Sequence, residues 1–418
     1  MEQSDEKLWS LSRLSQGPLV PYLDVYARQL NAQGYKRRSI AIQVRAVADF
    51  SRWLKANHVT LAGVTDEQTR RFLRRSDRRV AIGCGRVAAL RRCMVLLRQL
   101  KVIDDEPSSC ASVTPIEIVI NAFGQDLRQA QGLSTATSCQ YIPFIKDFLE
   151  MRLGRDLTSG RIDFSTLCAT DVVEFIKQQA ARLSQARAKC ATIALRAFLR
   201  YLRYRGEIAL DLAAAVPTVP NWSMTGIPRA IDPAHVRGVL ASCKRDTAVG
   251  CRDYAVLMLL ARLGLRSGEI VALTLDSIDW ERGCLTVIGS KGGQRLQLPL
   301  PTDVGLAIAE YIQNSRAPSN CRALFLRTTA PIQALGSQTS IGSIVVAAIT
   351  RARIKTAHAG AHQFRHALAC EMLRQGATLN EIGSLLRHRH TKTTGIYAKV
   401  DFNALRPLSL PWPTGGVQ

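Results

Sequence analysis

Signals that would send the chain into or across a membrane are missing from the sequence. No apolar run approaches the roughly twenty residues that a membrane-spanning helix requires. The opening residues, MEQSDEKLWS, are too acidic and polar for a secretory signal sequence. We therefore expect a soluble, intracellular protein that has no membrane partner.

Closely paired cysteines are also missing. The 11 cysteines include no Cys-x-x-Cys pair, their spacing is irregular and their number is odd. A disulfide framework would use an even set at regular spacings. The cysteines are therefore interpreted as reduced thiols in a cytoplasmic protein, most of them small core residues.

Acidic residues are scarce relative to basic ones. The chain has 33 Asp and Glu against 56 Lys and Arg, which gives a net charge of +23. A folded chain this basic repels itself unless it binds a polyanion, so nucleic acid is the first candidate partner and an anionic membrane surface the second. The basic residues are mostly arginines spread along the chain, and the planar fork of arginine suits phosphate oxygens.

What is present is enough apolar material for several cores, since 47% of the 418 residues are hydrophobic. A four-helix pattern occurs twice in the first half, over residues 21–108 and 113–208. Each copy has Gln-Gly followed, after fourteen residues, by Asp-Phe: Gly34 to Asp49, and Gly132 to Asp147. The spacing predicts a duplicated helical unit, although two unrelated small helical domains would give some of the same pattern.

The character of the sequence changes after a proline-rich stretch, AVPTVPNWSMTGIP, at 215–228. Apolar helices are predicted over 232–244 and 253–265. The segment GCLTVIGSKGGQRLQLPL, 283–300, predicts a β-hairpin with a glycine-rich turn. The fold class is therefore mainly α-helical with a small antiparallel β-sheet in the C-terminal part.

Five of the seven histidines lie between residues 358 and 390. His358, His362 and His366 have the helical spacing of a zinc site. However, Gly360 indicates that the helix starts only near His362, and Glu371 is the sole nearby carboxylate, with no cysteine to complete a set. We therefore expect no metal site, and interpret three of the histidines as capping or surface residues: His358, His366 and His390.

Four separated segments carry residues suited to phosphate chemistry. They are RLGLRSGEI with Arg266 and Glu269, GSKGG with Lys291, HQFRH with His362 and Arg365, and RHRHTKTTGIYAKV with His388 and Tyr397. Each has a plain structural alternative. Arg266 and Glu269 could form a helical ion pair, Lys291 could be merely solvated, and Tyr397 could be a packed aromatic residue.

Taken together, the strings LGLRSGEI, IGSKGGQRLQLPL, HQFRHALA and EIGSLLRHRHTKTTGIYAKV resemble the tyrosine recombinases, or phage-type integrases, in order, spacing and flanking residues. The resemblance covers residues 232–400. It implies SAM-like helical core-binding domains followed by a catalytic domain. The family usually has Leu-Gly-His where this chain has Leu386-Arg387-His388, so Arg387 is a departure that adds a phosphate contact or caps the helix.

The resemblance implies a division of the chain and a role for each residue. The division is an N-terminal segment 1–20, helical DNA-binding copies 21–108 and 113–208, a linker 209–228, a catalytic domain 229–400 and a tail 401–418. Tyr397 would be the nucleophile that forms a 3′-phosphotyrosyl bond, and His362 its base. The remaining roles are a phosphate clamp by Arg266 and Arg365, a general acid in Lys291, a further phosphate donor in His388 and a supporting carboxylate in Glu269.

The implied function is a site-specific recombinase or integrase encoded by a mobile element. It would act on double-stranded DNA as a homotetramer, with or without accessory or partner recombinases, and would need no cofactor. A prokaryotic, nucleoid-associated location follows. Two alternatives stay open: a catalytically inactive architectural or regulatory DNA-binding protein, and a type IB-like topoisomerase.

Overall fold

The structure is a computed structural model, and it describes residues 16–76, 84–103, 114–153, 162–219, 228, 230–289, 293–356, 359–388, 390–400 and 405–408. The helices, numbered in chain order, are α1 Leu23–Ala32, α2 Arg37–Ala56, α3 Asp66–Ser76, α4 Cys84–Gln99, α5 Pro115–Gln129, α6 Thr135–Leu153, α7 Ala169–Arg182, α8 Gln185–Tyr204, α9 Pro233–Ala241, α10 Ala248–Leu263, α11 Ser267–Val271, α12 Thr302–Asn314, α13 Gln338–Arg351, α14 His362–Arg374, α15 Leu379–Leu385 and α16 Thr391–Thr394. Within the described ranges, the helices are too short or too polar to cross a bilayer.

The strands form one antiparallel sheet in the order β1 Ile278–Asp279, β2 Cys284–Ile288 and β3 Arg295–Pro299. Alternate side chains point to opposite faces of a strand, and Leu285 and Val287 of β2 are accordingly buried on one face. The predicted hairpin and the mainly helical fold class are confirmed. The hairpin tip, residues 290–292, lies outside the described residues.

Contacts between Cα atoms group the chain into two compact units, residues 105–225 and residues 1–104 with 226–418. Each of the first two sets of four helices has its own hydrophobic core. Helix α2 buries Ile40, Val44, Val47, Phe50 and Leu54 at separations of three and four residues, as expected of an amphipathic helix. Helices α5 to α8 enclose a second core that includes Phe123, Phe148, Phe175 and Phe198.

The two helical sets share the turn between their first two helices. Gly34 and Gly132 both have positive φ angles, +80° and +63°, in the left-handed region that glycine adopts without steric cost. They differ in their surroundings. A Cβ atom on Gly34 would lie 2.6 Å from Cγ1 of Ile332, whereas the space around Gly132 is empty to 4 Å among the described atoms. The Ile332 N–H also donates to the Gln33 carbonyl at 2.9 Å.

Helix α10 lies at the centre of the C-terminal core, with Ala255 to Leu260 all buried. It starts five residues before the predicted helix, because the Thr247 hydroxyl accepts the N–H of Gly250 and caps it. It ends at Gly264, which has a φ of +56°. A Cβ atom there would lie 2.8 Å from a methyl group of Leu386, so glycine allows the turn before Arg266 to pack against Leu386.

A smaller apolar cluster lies beside that core. It consists of Ala369 and Cys370 of α14, Ile382 of α15, and Leu386 and Tyr397 from the segments that follow. Helix α15 begins with a capping box in which Thr378 and Glu381 satisfy each other's backbone N–H groups. The cluster fixes the position of the last helical turn before the tail, the 3-10 segment Gly395–Val400 that carries Tyr397.

Candidate active site

Arg266 stands at the N-terminus of α11 and is paired with Glu269. The carboxylate of Glu269 accepts Nη1 of Arg266 at 2.8 Å through Oε1 and the backbone N–H of Arg266 at 2.9 Å through Oε2. The predicted ion pair is therefore present, yet the Arg266 side chain remains 32% exposed while that of Glu269 is 1% exposed. The Arg266 guanidinium is therefore accessible to a ligand, whereas the Glu269 carboxylate is not.

A second arginine reaches the same carboxylate. Nη2 of Arg387 lies 3.0 Å from Oε2 of Glu269, and the Arg387 side chain is only 7% exposed. Burial alone would raise the pKa of the Glu269 carboxyl, but the backbone hydrogen bond from Arg266 and the charges of Arg387 and Arg266 hold it below its usual value. The Glu269 carboxylate therefore forms ion pairs with both Arg266 and Arg387.

Arg365 is buried on the first turn of α14, one helical turn after His362. Its guanidinium donates to the carbonyls of Gly264 and Leu386. Burial, with Arg266 and Arg387 nearby, lowers its pKa to about 9, so it is still a cation at neutral pH. Two backbone carbonyls thus fix the orientation of this arginine.

His362 is the first residue of α14, where the sequence predicted the helix to start, and its ring lies against that of His366. Partial burial of its ring, together with the charges of Arg365 and Arg266, lowers its pKa. His362 therefore lies close enough to Arg365 and Arg266 for their charges to disfavour its protonated form.

Tyr397 is 1% exposed, and its ring packs in the apolar cluster beside α14 and α15. Its hydroxyl lies 3.0 Å from Nδ1 of His366. Burial raises the pKa of the phenol to about 12, although the charge of Arg365 acts in the opposite direction. Tyr397 is therefore a packed aromatic residue, as the structural alternative stated. Its hydroxyl is also hydrogen-bonded, so the packing does not exclude a chemical role.

His366 was interpreted from the sequence as a capping or surface histidine, and that interpretation is wrong. Its ring is half-buried between His362 and Tyr397, with ring centroids 5.1 Å and 5.7 Å away. Burial, and then the nearby His362 and Arg365, lower its pKa to about 4. The neutral ring is therefore a hydrogen-bond partner of the phenol, and the HQFRH spacing is the signal that could have identified it.

His388 lies on the other side of the Tyr397 ring. The two rings are parallel to within 8° with centroids 6.4 Å apart, and Nδ1 of His388 lies 2.7 Å from the Thr394 hydroxyl. Burial and the charges of Arg365 and Arg266 lower the pKa of His388 to about 4. Thr394, which sequence reasoning missed, fixes this ring.

The structure therefore brings together five of the predicted residues and their supporting carboxylate: Arg266, Glu269, His362, Arg365, His388 and Tyr397. Lys291 lies outside the described residues. So does His358, and among the residues that are described no group of three histidine, cysteine or acidic side chains has the geometry of a metal site. The site thus presents cations and a phenol, an arrangement suited to binding and attacking a phosphate.

Comparison with known proteins gives consistent results. The model of the phage integrase family matches residues 229–404. A Sinorhizobium fredii protein assigned as an integrase/recombinase, y4rA, is 45% identical over 97% of this chain and 97% of its own length. Tyrosine recombinase XerD of Shewanella oneidensis is 31% identical over 68% of this chain and 92% of XerD.

Among solved structures, a lambda integrase tetramer bound to a Holliday junction is similar to this chain with a TM-score of 0.52. The match covers 81% of this chain and 92% of that chain at 16% sequence identity. At that identity the likeness concerns the fold.

Proposed function

The chain belongs to the phage integrase family of tyrosine recombinases, enzymes that cleave and rejoin DNA, and on that premise we propose that Tyr397 is its nucleophile. The observation that carries this assignment is the position of the Tyr397 hydroxyl, which is hydrogen-bonded to a neutral histidine beside a group of arginines. The family resemblance predicted from the four motifs is confirmed.

In the first step, the Tyr397 oxygen attacks the scissile phosphorus and the bond to the 5′-oxygen breaks. A 3′-phosphotyrosyl bond forms, and the 5′-oxygen takes a proton from Lys291 and leaves as a hydroxyl. The phenol proton passes to a neutral histidine: His362 in the role that the resemblance implies, or His366, which holds the hydroxyl in this structure.

Arg266 and Arg365 would bind the non-bridging oxygens of that phosphate. Charge develops on these oxygens in the transition state, and preorganised donors lower its energy most. Glu269 orients Arg266, and the carbonyls of Gly264 and Leu386 orient Arg365. His388 would donate a further hydrogen bond from the imidazole nitrogen that Thr394 does not engage.

The phosphotyrosyl bond conserves the energy of the phosphodiester, so a 5′-hydroxyl from another duplex can reverse the reaction on a new partner. We infer site-specific strand exchange on double-stranded DNA, by a homotetramer and with accessory or partner recombinases where the element requires them. The structure of a relative as a tetramer on a Holliday junction supports this assembly. A cytoplasmic, nucleoid-associated enzyme of a prokaryotic mobile element is the setting that we propose.

The domain division stated above remains our proposal, with the first helical copy, residues 21–108, extending the contact with DNA. A footprint of the full chain that is longer than that of residues 106–418 supports this role. Equal footprints would contradict it.

The nucleophile is tested by trapping the covalent adduct. Wild type and Tyr397→Phe are incubated in EDTA with nicked suicide duplexes that tile the DNA on both sides of the gene, and protease-sensitive bands are read on SDS gels. We expect an adduct with wild type and none with Tyr397→Phe. An adduct with both proteins would place the nucleophile elsewhere, and DNA binding without any adduct would favour an architectural role.

A further inference from the structure

Arg387 occupies a backbone conformation that does not suit an arginine. Its φ angle is +55°, in the left-handed region where a Cβ atom crowds the following carbonyl and glycine is preferred. The residue follows directly after Leu386, at the turn between α15 and α16. An arginine side chain at such a position has a steric disadvantage that its contacts must offset.

The contacts of this side chain point into the candidate site. Nη1 donates to the carbonyl of Leu385 at 3.0 Å and so caps α15, as one of the two sequence interpretations expected. Nη2 donates to Oε2 of Glu269 at 3.0 Å, across 118 residues of sequence. Nε is buried, and no described group accepts its hydrogen.

The backbone of the same turn supports the two phosphate-binding arginines. The Leu386 carbonyl accepts from Arg365, and the Arg387 carbonyl accepts Nη2 of Arg266 at 3.4 Å. The Arg387 side chain in turn bonds to Glu269, which holds the other side of Arg266. A single residue therefore connects the turn, the carboxylate and Arg266.

We propose that Arg387 is a positioning residue that fastens the Leu386–His388 turn to Glu269 and thereby holds Arg266 in place for the scissile phosphate. This inference rests on the proposed function, because it assigns Arg387 a part in the same phosphate site. Arg387 itself does not contact the phosphate in this role. Outer partners that orient a ligating group typically change activity by about 10- to 100-fold when they are removed.

The first test is adduct formation by Arg387→Gly on the nicked duplex that gives an adduct with wild type. Arg353→Gly is the matched control, since Arg353 is an exposed arginine with an almost identical φ of +56°. Both substitutions relieve the same backbone strain. We expect Arg387→Gly to be about 10- to 100-fold slower than wild type and Arg353→Gly to be unchanged. Arg387→Lys, which retains one cationic donor, should recover part of the rate.

A chemical control separates positioning from loss of fold. In a duplex with a methylphosphonate at the scissile position, one charged oxygen is replaced by a methyl group, so the arginine clamp matters less. We expect Arg387→Gly to approach the wild-type rate on that substrate, within about threefold. Equal losses on both substrates, or a wild-type rate on the phosphodiester, would overturn the inference.

The contact between Arg387 and Glu269 can also be tested on the protein without DNA. This test still applies if no duplex yields an adduct, a result that would itself contradict the proposed function. The charged groups near Glu269 are Arg266 from α11, Arg387 from the turn and Arg365 from α14. The carboxyl pKa is below its usual 4.5, so its ionisation stabilises the fold above that pH and the stability is lost as pH falls. The Tm difference between Arg387→Gly and Arg353→Gly should therefore narrow below pH 4.5, and a difference that does not vary with pH would refute the link.

Discussion

The two sides of the candidate site differ in how far they are prepared for reaction. On the guanidinium side, defined by Arg266, Glu269, Arg365 and Arg387, hydrogen bonds to a buried carboxylate and to backbone carbonyls fix the cations. On the phenol side, defined by Tyr397, His366, His388 and Thr394, the Tyr397 side chain is 1% exposed and burial raises its pKa to about 12.

The guanidinium side is therefore suited to binding an anion, and the phenol side carries the group that we propose to react. The cations are fixed by protein contacts before any ligand binds, which is the preorganisation that the proposed phosphate site requires. The phenol is held by His366 and is shielded from solvent. The side chain that we propose as nucleophile is thus packed and hydrogen-bonded, while the arginine cluster is open to solvent through the 32% exposed Arg266.

The largest effect should come from the guanidinium side. Arg365→Lys keeps one positive charge but cannot reproduce the planar fork that donates to two carbonyls and, in the proposed reaction, to phosphate. We expect adduct formation to fall about 10²- to 10³-fold, together with a lower Tm because a buried carbonyl loses its donor. Rates on the nicked duplex and thermal unfolding measure the two effects.

Arg374→Lys is the control for that substitution. Arg374 lies on the same helix, but its side chain is 61% exposed and pairs with Glu371 on the surface. Its replacement should leave both rate and Tm within experimental error. If Arg365→Lys behaved like Arg374→Lys, the preorganised anion site would be the wrong description of the guanidinium side.

A smaller effect is expected on the phenol side. His366→Phe preserves a ring against Tyr397 and removes Nδ1, so the phenol loses its hydrogen-bond partner. Adduct formation should fall about 10- to 100-fold if this ring takes the proton, at the lower end of general-base effects. His235→Phe, an exposed histidine on α9, is the matched control. An unchanged rate in His366→Phe would leave His362 as the base.

The smallest expected effect is on thermal stability, whose dependence on pH differs between the phenol side and the guanidinium side. His366 and His388 have pKa values of about 4 against an ordinary 6.5, so the fold favours their neutral forms. Their contribution is fully present above pH 6.5 and is lost as pH falls from 6.5 towards 4. The groups that face these two histidines are His362, Arg365 and Arg266. The positive charges of the arginines further disfavour the protonated forms of His366 and His388.

The wild-type Tm should therefore fall by several degrees between pH 6.5 and 4, and less in His366→Phe. The Glu269 contribution is lost in a separate range below 4.5. Identical Tm profiles for wild type and His366→Phe across pH 6.5 to 4 would show that the buried imidazole does not control acid stability.

Much of this architecture could be predicted from local chemistry. The alternating apolar residues of 284–288 and 295–299 indicate the hairpin, and Gly360 correctly indicates that a helix starts at His362. The repeated Gln-Gly indicates the same left-handed turn in both helical copies. These features depend on residues a few positions apart, so sequence patterns contain them. The candidate residues of the C-terminal region could be identified in the same way, because each lies within a short motif.

The partners of those residues could not. Periodicity places His362 and His366 on one face of α14, and only the packing of the Gly395–Val400 segment decides that the phenol meets His366. Nothing local to Arg387 predicts a bond to a carboxylate 118 residues away. Spacing and residue type are enough to predict which helices and strands form and which side chains could act on a phosphate. The pairing of Arg387 with Glu269 and of His366 with Tyr397 arises only when distant segments pack against each other, so no local pattern contains it.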